Sequence, residues 1–258
     1  LKDQGNVKFD DSIKGRKIVD EMGFGWNLGN TLDAWNSRQQ DQGVVSEMSW
    51  GVDLTTEEII KGLVNKGIKT IRIPVTWHNH IIDENYTIDP QWMKRVKEIV
   101  DWSLKAGLYV ILNTHHDNCQ NVEVKYGQGY YPFRESMVES EKFLYNTYRQ
   151  IALAFNNGYD HHLIFECLNE PRPIRTGCEW TYKKGDPVCE EASSVLNEYL
   201  KLVLKAIRTS GGNNEKRFVM VTPLAASYGG AVNQEFVIPD DTKYNPKNQK
   251  LIISVHMY

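Results

Sequence analysis

Six short runs of β-branched, aromatic and aliphatic residues, each succeeded by a longer stretch with helical spacing, limit what this chain can fold into. The runs are Phe24 to Leu28, Thr70 to Val75, Tyr109 to Asn113, Leu163 to Leu168, Arg217 to Thr222 and Leu251 to His256, and their composition predicts strands. Between the first two, Thr55 and Glu58 form a capping-box pattern at the start of TTEEIIKGLVNKG, and Gly67 closes that helix. Asp89-Pro90 opens the next, in which Trp92, Val96, Ile99, Val100 and Leu104 recur at helical spacing before Gly107. Ser136 to Asn157 and Glu190 to Ser210 supply two more. No low-complexity segment or linker interrupts the alternation, so residues 1–258 are expected to form one domain.

Near-continuous apolar strands alternating with amphipathic helices imply an α/β protein whose parallel sheet is covered by helices, either doubly wound or closed as a (β/α)8 TIM barrel. Polar residues recur just past the strand ends: Asn30 and Asp33, His115 and His116, Asn169 and Glu170, and His256. In a barrel all such ends open onto one face, so residues remote in sequence meet there. The run LIFECLNEPR, from Leu163 to Arg172, shows the pattern in miniature: its apolar half builds a wall and its polar end builds a site.

Composition removes other classes. Thirty basic against thirty-three acidic residues give a formal charge of −3, which offers no broad cationic field for a nucleic-acid backbone. No apolar run approaches the roughly 18 residues that span a bilayer, and the first residues, LKDQGNVKFDD, lack the apolar stretch of a signal peptide, as expected of a soluble mature chain. Cys178 and Cys189 bracket the polar segment GCEWTYKKGDPVCEE, where a disulfide would pin a long surface loop. Such a bridge accompanies secretion. Two reduced thiols are the alternative, and Cys119 with Cys167 is the other pairing the sequence allows.

A carboxylate at an enclosed strand end, beside an amide and imidazoles, suits general acid catalysis on a polar substrate, because desolvation favours its protonated form. Glu170 is the candidate. Glycoside hydrolysis takes two carboxyl groups, about 5 to 5.5 Å apart for retention and about 6.5 to 9.5 Å for inversion. Glu166 lies four residues earlier, roughly 13 Å away along a strand, too far for either geometry. It is expected to be a barrel-interior residue held by a partner such as Arg72.

Five motifs occur in order along almost the whole chain: GWNLGNTLDAW at 25–35, IRIPVTW at 71–77, ILNTHHD at 111–117, LNEPR at 168–172 and SVHMY at 254–258. Together they resemble glycoside hydrolase family five, most closely its endoglucanase type, whose members are (β/α)8 barrels that hydrolyse β-linked glucans with retention. The resemblance implies that Glu170 is the acid/base, that Asn169 hydrogen-bonds the 2-hydroxyl of the sugar at the cleaved bond, that Arg72 orients the nucleophile, and that His115 and Tyr258 line the same subsite. It puts His256 in the catalytic surroundings and Asn30, Asp33 and His116 around the next sugar outward. Trp35 is either a platform on which a glucose ring stacks or a loop residue packing beneath the site.

A barrel of this family has eight strands and carries its nucleophilic Glu at the end of the seventh. The chain reaches Tyr258 at the end of the sixth, so strands one to six are expected with seven and eight missing, and no residue matches the nucleophile. Residues 1–258 alone are therefore expected to be insoluble or inactive, with an unpaired barrel edge.

Rival chemistries are weaker. His115-His116-Asp117 concentrates metal-ligand types, but adjacent strand residues point to opposite faces, and neither HExxH nor paired CxxC is present. Gly23-Phe24-Gly25 lacks the third glycine of a dinucleotide fingerprint. A non-catalytic carbohydrate-binding protein could use the seven tryptophans and thirteen tyrosines, yet it would not require an acid beside the amide of Asn169. The expected activity is therefore an endo-acting β-1,4-glucanase, with lichenan, xyloglucan, xylan and mannan as alternative substrates set by the loops from Asn118 to Arg134 and Pro173 to Glu190. No cofactor is needed, since water and two carboxylates suffice. The expected partner is a β-glucan polysaccharide, and the expected form is a secreted monomer, with a docking or carbohydrate-binding module attached in a longer enzyme.

Overall fold

The computed structural model describes residues 2–36, 43–119 and 125–257. Six strands, β1 (Gly25–Asn27), β2 (Thr70–Ile73), β3 (Tyr109–Asn113), β4 (Leu163–Glu166), β5 (Val219–Val221) and β6 (Leu251–Ile253), form one sheet in sequence order. Every neighbouring pair is parallel. Helices fill the crossovers: α2 (Glu57–Asn65), α3 (Pro90–Lys105), α4 (Met137–Ala154), α5 (Pro187–Arg208) and the short α6 (Tyr228–Val232). The helix α1 (Gly15–Met22) precedes β1 and has no counterpart in the sequence reading, because it buries only Ile18 and carries no capping signature.

All six expected strands are present, and most are shorter than the apolar runs that announce them. Past each ladder the chain keeps single cross-strand bonds instead of full pairing. His115 N donates to Val75 O at 2.8 Å, Asn169 N to Thr114 O at 3.0 Å and Ser254 N to Val221 O at 2.9 Å. Those single bonds free the polar ends to turn toward a common cleft.

Strand alternation sorts the side chains into two layers. Val110, Leu112, Leu163, Phe165, Val219 and Val221 face the helices and join the main core with Val96, Ile99, Val100, Phe143, Leu196 and Leu200. Tyr109, Ile111 and Ile164 point to the opposite side, where they pack with Ile13, Ile18 and Phe218. Above that apolar layer, on the same side of the sheet, stand Arg72, Asn113 and Glu166.

Local chemistry fixes the helix ends. Asp89 accepts from Gln91 N ahead of Pro90, and Gly107 at φ 86° permits the turn out of α3. For α2 the cap is Thr56, whose hydroxyl accepts from Ile59 N, and not Thr55. Thr55 N instead donates to the buried Glu47 carboxylate at 2.8 Å, so a tertiary contact shifts the capping register by one residue.

Cys178 and Cys189 form a disulfide, while Cys119 and Cys167 are free thiols. The bridge ties the loop after β4 to the first turn of α5. Among the described residues, no helix is long and apolar enough to cross a membrane.

Candidate active site

A cleft of about 620 Å³ opens at the C-terminal ends of the strands, the place where an α/β barrel gathers residues from several strands. Asn30, Asp33, Arg72, His115, His116, Asn169, Glu170 and His256 all line it. Tyr258 lies outside the described residues.

Arg72 on β2 organises the floor. Its Nε donates to Glu166 Oε2 at 2.8 Å, its Nη1 to Asn27 Oδ1 at 3.2 Å and its Nη2 to Asn169 Oδ1 at 2.7 Å. Glu166 is fully buried and also accepts from Asn113 Nδ2 at 2.8 Å and Ser254 Oγ at 3.0 Å. A buried carboxylate so surrounded by donors has its hydrogen-bonding capacity satisfied within the protein, in keeping with the structural role that its position on the strand predicts. Since Asn169 Oδ1 is taken by Arg72, its amino group is the part left to donate toward a ligand.

Asn113 sets the state of His115 in the same way. Its amide oxygen accepts from Val75 N at 3.2 Å, so its Nδ2 faces Glu166 and sits 3.1 Å from His115 Nδ1. Burial, reinforced by the positive charges of Arg72 and His116, holds the His115 imidazole well below its usual pKa. The ring is therefore neutral, accepts at Nδ1, and carries its proton on Nε2 as a donor.

Glu170 is 9% exposed. Its Oε1 lies 2.8 Å from His256 Nδ1, and its Oε2 lies 3.8 Å from Arg172 Nη1. Among the described residues, this carboxylate thus meets a nitrogen from the segment after β6 and another from its own segment.

The next group lies outward. Asn30 adopts φ 63°, a left-handed conformation that asparagine tolerates better than most residues. Asp33 Oδ1 accepts from Thr31 N at 2.9 Å, and its Oδ2 is 3.7 Å from His116 Nε2. The expectation that His115 and His116 diverge is corrected: both lie beyond Asn113, the last residue of β3, so strand alternation no longer governs them. Their rings meet edge to face at 4.6 Å, and with Asp33 their ligand atoms fall within 4.8 Å of one another. Asp117 instead turns inward to accept from Trp77 N and His78 N. With Asn113 holding His115 as an Nε2–H donor, this trio is prepared to hydrogen-bond hydroxyls and is poorly matched to a cation.

Trp35 does not line the cleft. Its half-buried ring stands edge to face on the buried His78 at 4.7 Å. Trp50 is the aromatic nearer the site: it is 41% exposed, tilts against His116 at 5.3 Å and donates from Nε1 to Trp35 O. No motif points to it. Asn27, Asn113, Arg172 and Ser254 are further residues that the motif reading quoted without assigning a role, and each is the polar neighbour of an assigned one.

Comparison with known proteins agrees with this geometry. A family model described as cellulase, glycosyl hydrolase family 5, matches residues 33–258. Endoglucanase B of Ruminococcus albus is 42% identical over 245 residues, covering 94% of this chain and 53% of the relative. Endoglucanase A of Clostridium longisporum is 42% identical over 244 residues, covering 94% and 43%. Among solved structures, a GH5-4 broad-specificity endoglucanase from Ruminococcus champanellensis with bound cellotriose superposes with TM-score 0.86 at 35% identity, over 98% of this chain and 68% of that one. A family 5 lichenase mutant from a Caldicellulosiruptor species, in complex with cellotetraose, gives 0.87 at 36% identity, over 99% and 66%. Parallel strands in chain order, covered by helices and with a polar cleft at their C-terminal ends, define a protein of the (β/α)8 class. The chain belongs to glycosyl hydrolase family 5, the cellulase family, and it spans about half the length of the curated relatives it matches.

Proposed function

We propose that the protein is a retaining endo-β-1,4-glucanase that cleaves internal bonds of cellulose and related β-glucans by double displacement. The observation that carries this reading is Glu170, set between His256 and Arg172 at the mouth of the cleft beside an Asn169 amide that Arg72 has turned into a donor. In the first half-reaction protonated Glu170 gives its proton to the leaving glycosidic oxygen while a carboxylate nucleophile attacks the anomeric carbon. In the second, Glu170 as carboxylate takes a proton from the water that releases the glycosyl-enzyme. Arg72 orients that nucleophile, Asn169 donates to the 2-hydroxyl, and His115 donates from Nε2 in the same subsite, with Tyr258. Asn30, Asp33 and His116 hold the next sugar outward. No cofactor takes part.

Relatives and neighbours named as endoglucanase, broad-specificity endoglucanase and lichenase support a substrate range that includes mixed-linkage glucan. The Cys178–Cys189 bridge supports a secreted protein, and the greater length of the relatives supports a larger polypeptide with further modules.

Reducing-sugar release from carboxymethyl-cellulose by the complete polypeptide tests the reading. Glu170→Gln is expected to lose at least about a thousandfold in kcat on glucans, in line with loss of a general acid and base, with cellotetraose affinity nearly unchanged. Full activity in that variant on a substrate with a poor leaving group would remove Glu170 from the role.

A further inference from the structure

Arg172 is held unlike an ordinary surface arginine. Its side chain is 19% exposed, and its Nη1 donates to the backbone carbonyl of Glu170 at 3.0 Å while standing 3.8 Å from Glu170 Oε2. Three restraints keep it there. The guanidinium lies 3.9 Å from the ring centre of Trp180. Its Nε is 3.5 Å from Glu179 Oε1. Its backbone is clasped by Asn118, whose Oδ1 accepts from Arg172 N at 2.7 Å and whose Nδ2 donates to Arg172 O at 2.9 Å. Glu179 and Trp180 directly follow Cys178, inside the loop closed by the disulfide.

Ordering a long cationic side chain costs rotamer entropy, and a partly buried cation beside a carboxylate favours its ionised form. Glu170 has to exist in both forms during one turnover. We propose that Arg172 is a positioning residue that sets the balance between the acid and base forms of Glu170, with Glu179 dividing its charge; this rests on Glu170 being the acid/base. Among the described residues, charged and titratable groups reach Glu170 from four places. His256 meets Oε1 from the segment after β6. His115 stands nearby after β3 and feels both Arg172 and His256. Arg72 reaches Asn169 but is matched by Glu166. Arg172 places a permanent charge on the Oε2 side, and Glu179, on the disulfide-closed loop, is its counter-ion.

The two charges predict opposite effects. In the complete polypeptide, Arg172→Gln lets protonated Glu170 persist to higher pH, so the alkaline limb of kcat/KM on a soluble cellooligosaccharide moves up by about half a unit to one unit. Glu179→Gln leaves the guanidinium unshared and moves the limb down. Arg172→Lys restores most of the wild-type profile. A purely structural role lowers activity without moving the limb. A second readout needs no turnover: the carboxyl carbon of Glu170 in ¹³C-glutamate-labelled protein, assigned by its loss in Glu170→Gln, is followed through pH by NMR. Absence of hydrolysis in the wild type refutes the glucanase reading, and the Glu170 titration still decides the role of Arg172. Midpoints that stay put, or that move the same way in Arg172→Gln and Glu179→Gln, overturn it.

Discussion

At the scale of single residues, the division of labour between Glu166 and Glu170 follows from their partners. Glu166 is buried with Arg72, Asn113 and Ser254 around it, whereas Glu170 faces the cleft. Arg72→Met removes the cation and strands a buried carboxylate, so it is expected to destabilise the folded protein by about 3 to 5 kcal/mol, with Arg72→Met/Glu166→Leu recovering much of that. Chemical denaturation of the complete polypeptide measures both. Glu166 was legible in sequence because strand spacing alone separates it from Glu170. The state of His115 was not, since it depends on Asn113 and Val75, whose hydrogen bond joins β3 to the segment after β2. Asp160 gives a pH signature. Burial opposes its ionisation, but hydrogen bonds from the His162 ring and backbone outweigh it and hold the carboxyl at about 2. A carboxyl lowered on folding stabilises above its unfolded value and loses that contribution as pH falls. The acid destabilisation between about pH 4 and 2 should therefore be shallower in Asp160→Asn, as thermal melts across that range will show.

Among the elements, helix ends and the loop after β4 decide how firmly the site is presented. Asp186 caps α5 by accepting from Val188 N and Cys189 N, so Asp186→Ala should cost about 1 kcal/mol. Opening the adjacent Cys178–Cys189 bridge, which closes an interval of 11 residues, should cost about 3 kcal/mol on the chain-entropy account. Urea denaturation of Asp186→Ala and of the double Cys→Ser variant gives both numbers. The disulfide and the start of α3 were readable because their chemistry is local: flanking cysteines, and an Asp-Pro pair. The α2 cap was misplaced by one residue because TTEE admits two registers, and the choice between them is made by Glu47, which is paired with Arg95 from α3.

On the scale of the molecule, strand order follows chain order, which is why alternation of short apolar runs with amphipathic helices conveyed so much of the architecture. All five residues of β3 and all four of β4 are buried, so hydrogen exchange read by mass spectrometry on the complete polypeptide should find very slow amides in Tyr109–Asn113 and Leu163–Glu166. Exchange there as fast as in the exposed helix α1 would contradict this. The polar floor adds a consequence for how such a sequence can change over generations. Arg72 touches residues from β1 and β4 at once, and Glu166 joins β3 to the segment after β6. A single replacement leaves several partners unmatched, whereas a compensated pair leaves few. Drift at these positions is thus strongly epistatic: a change at Arg72 or Glu166 persists only when its partners change with it.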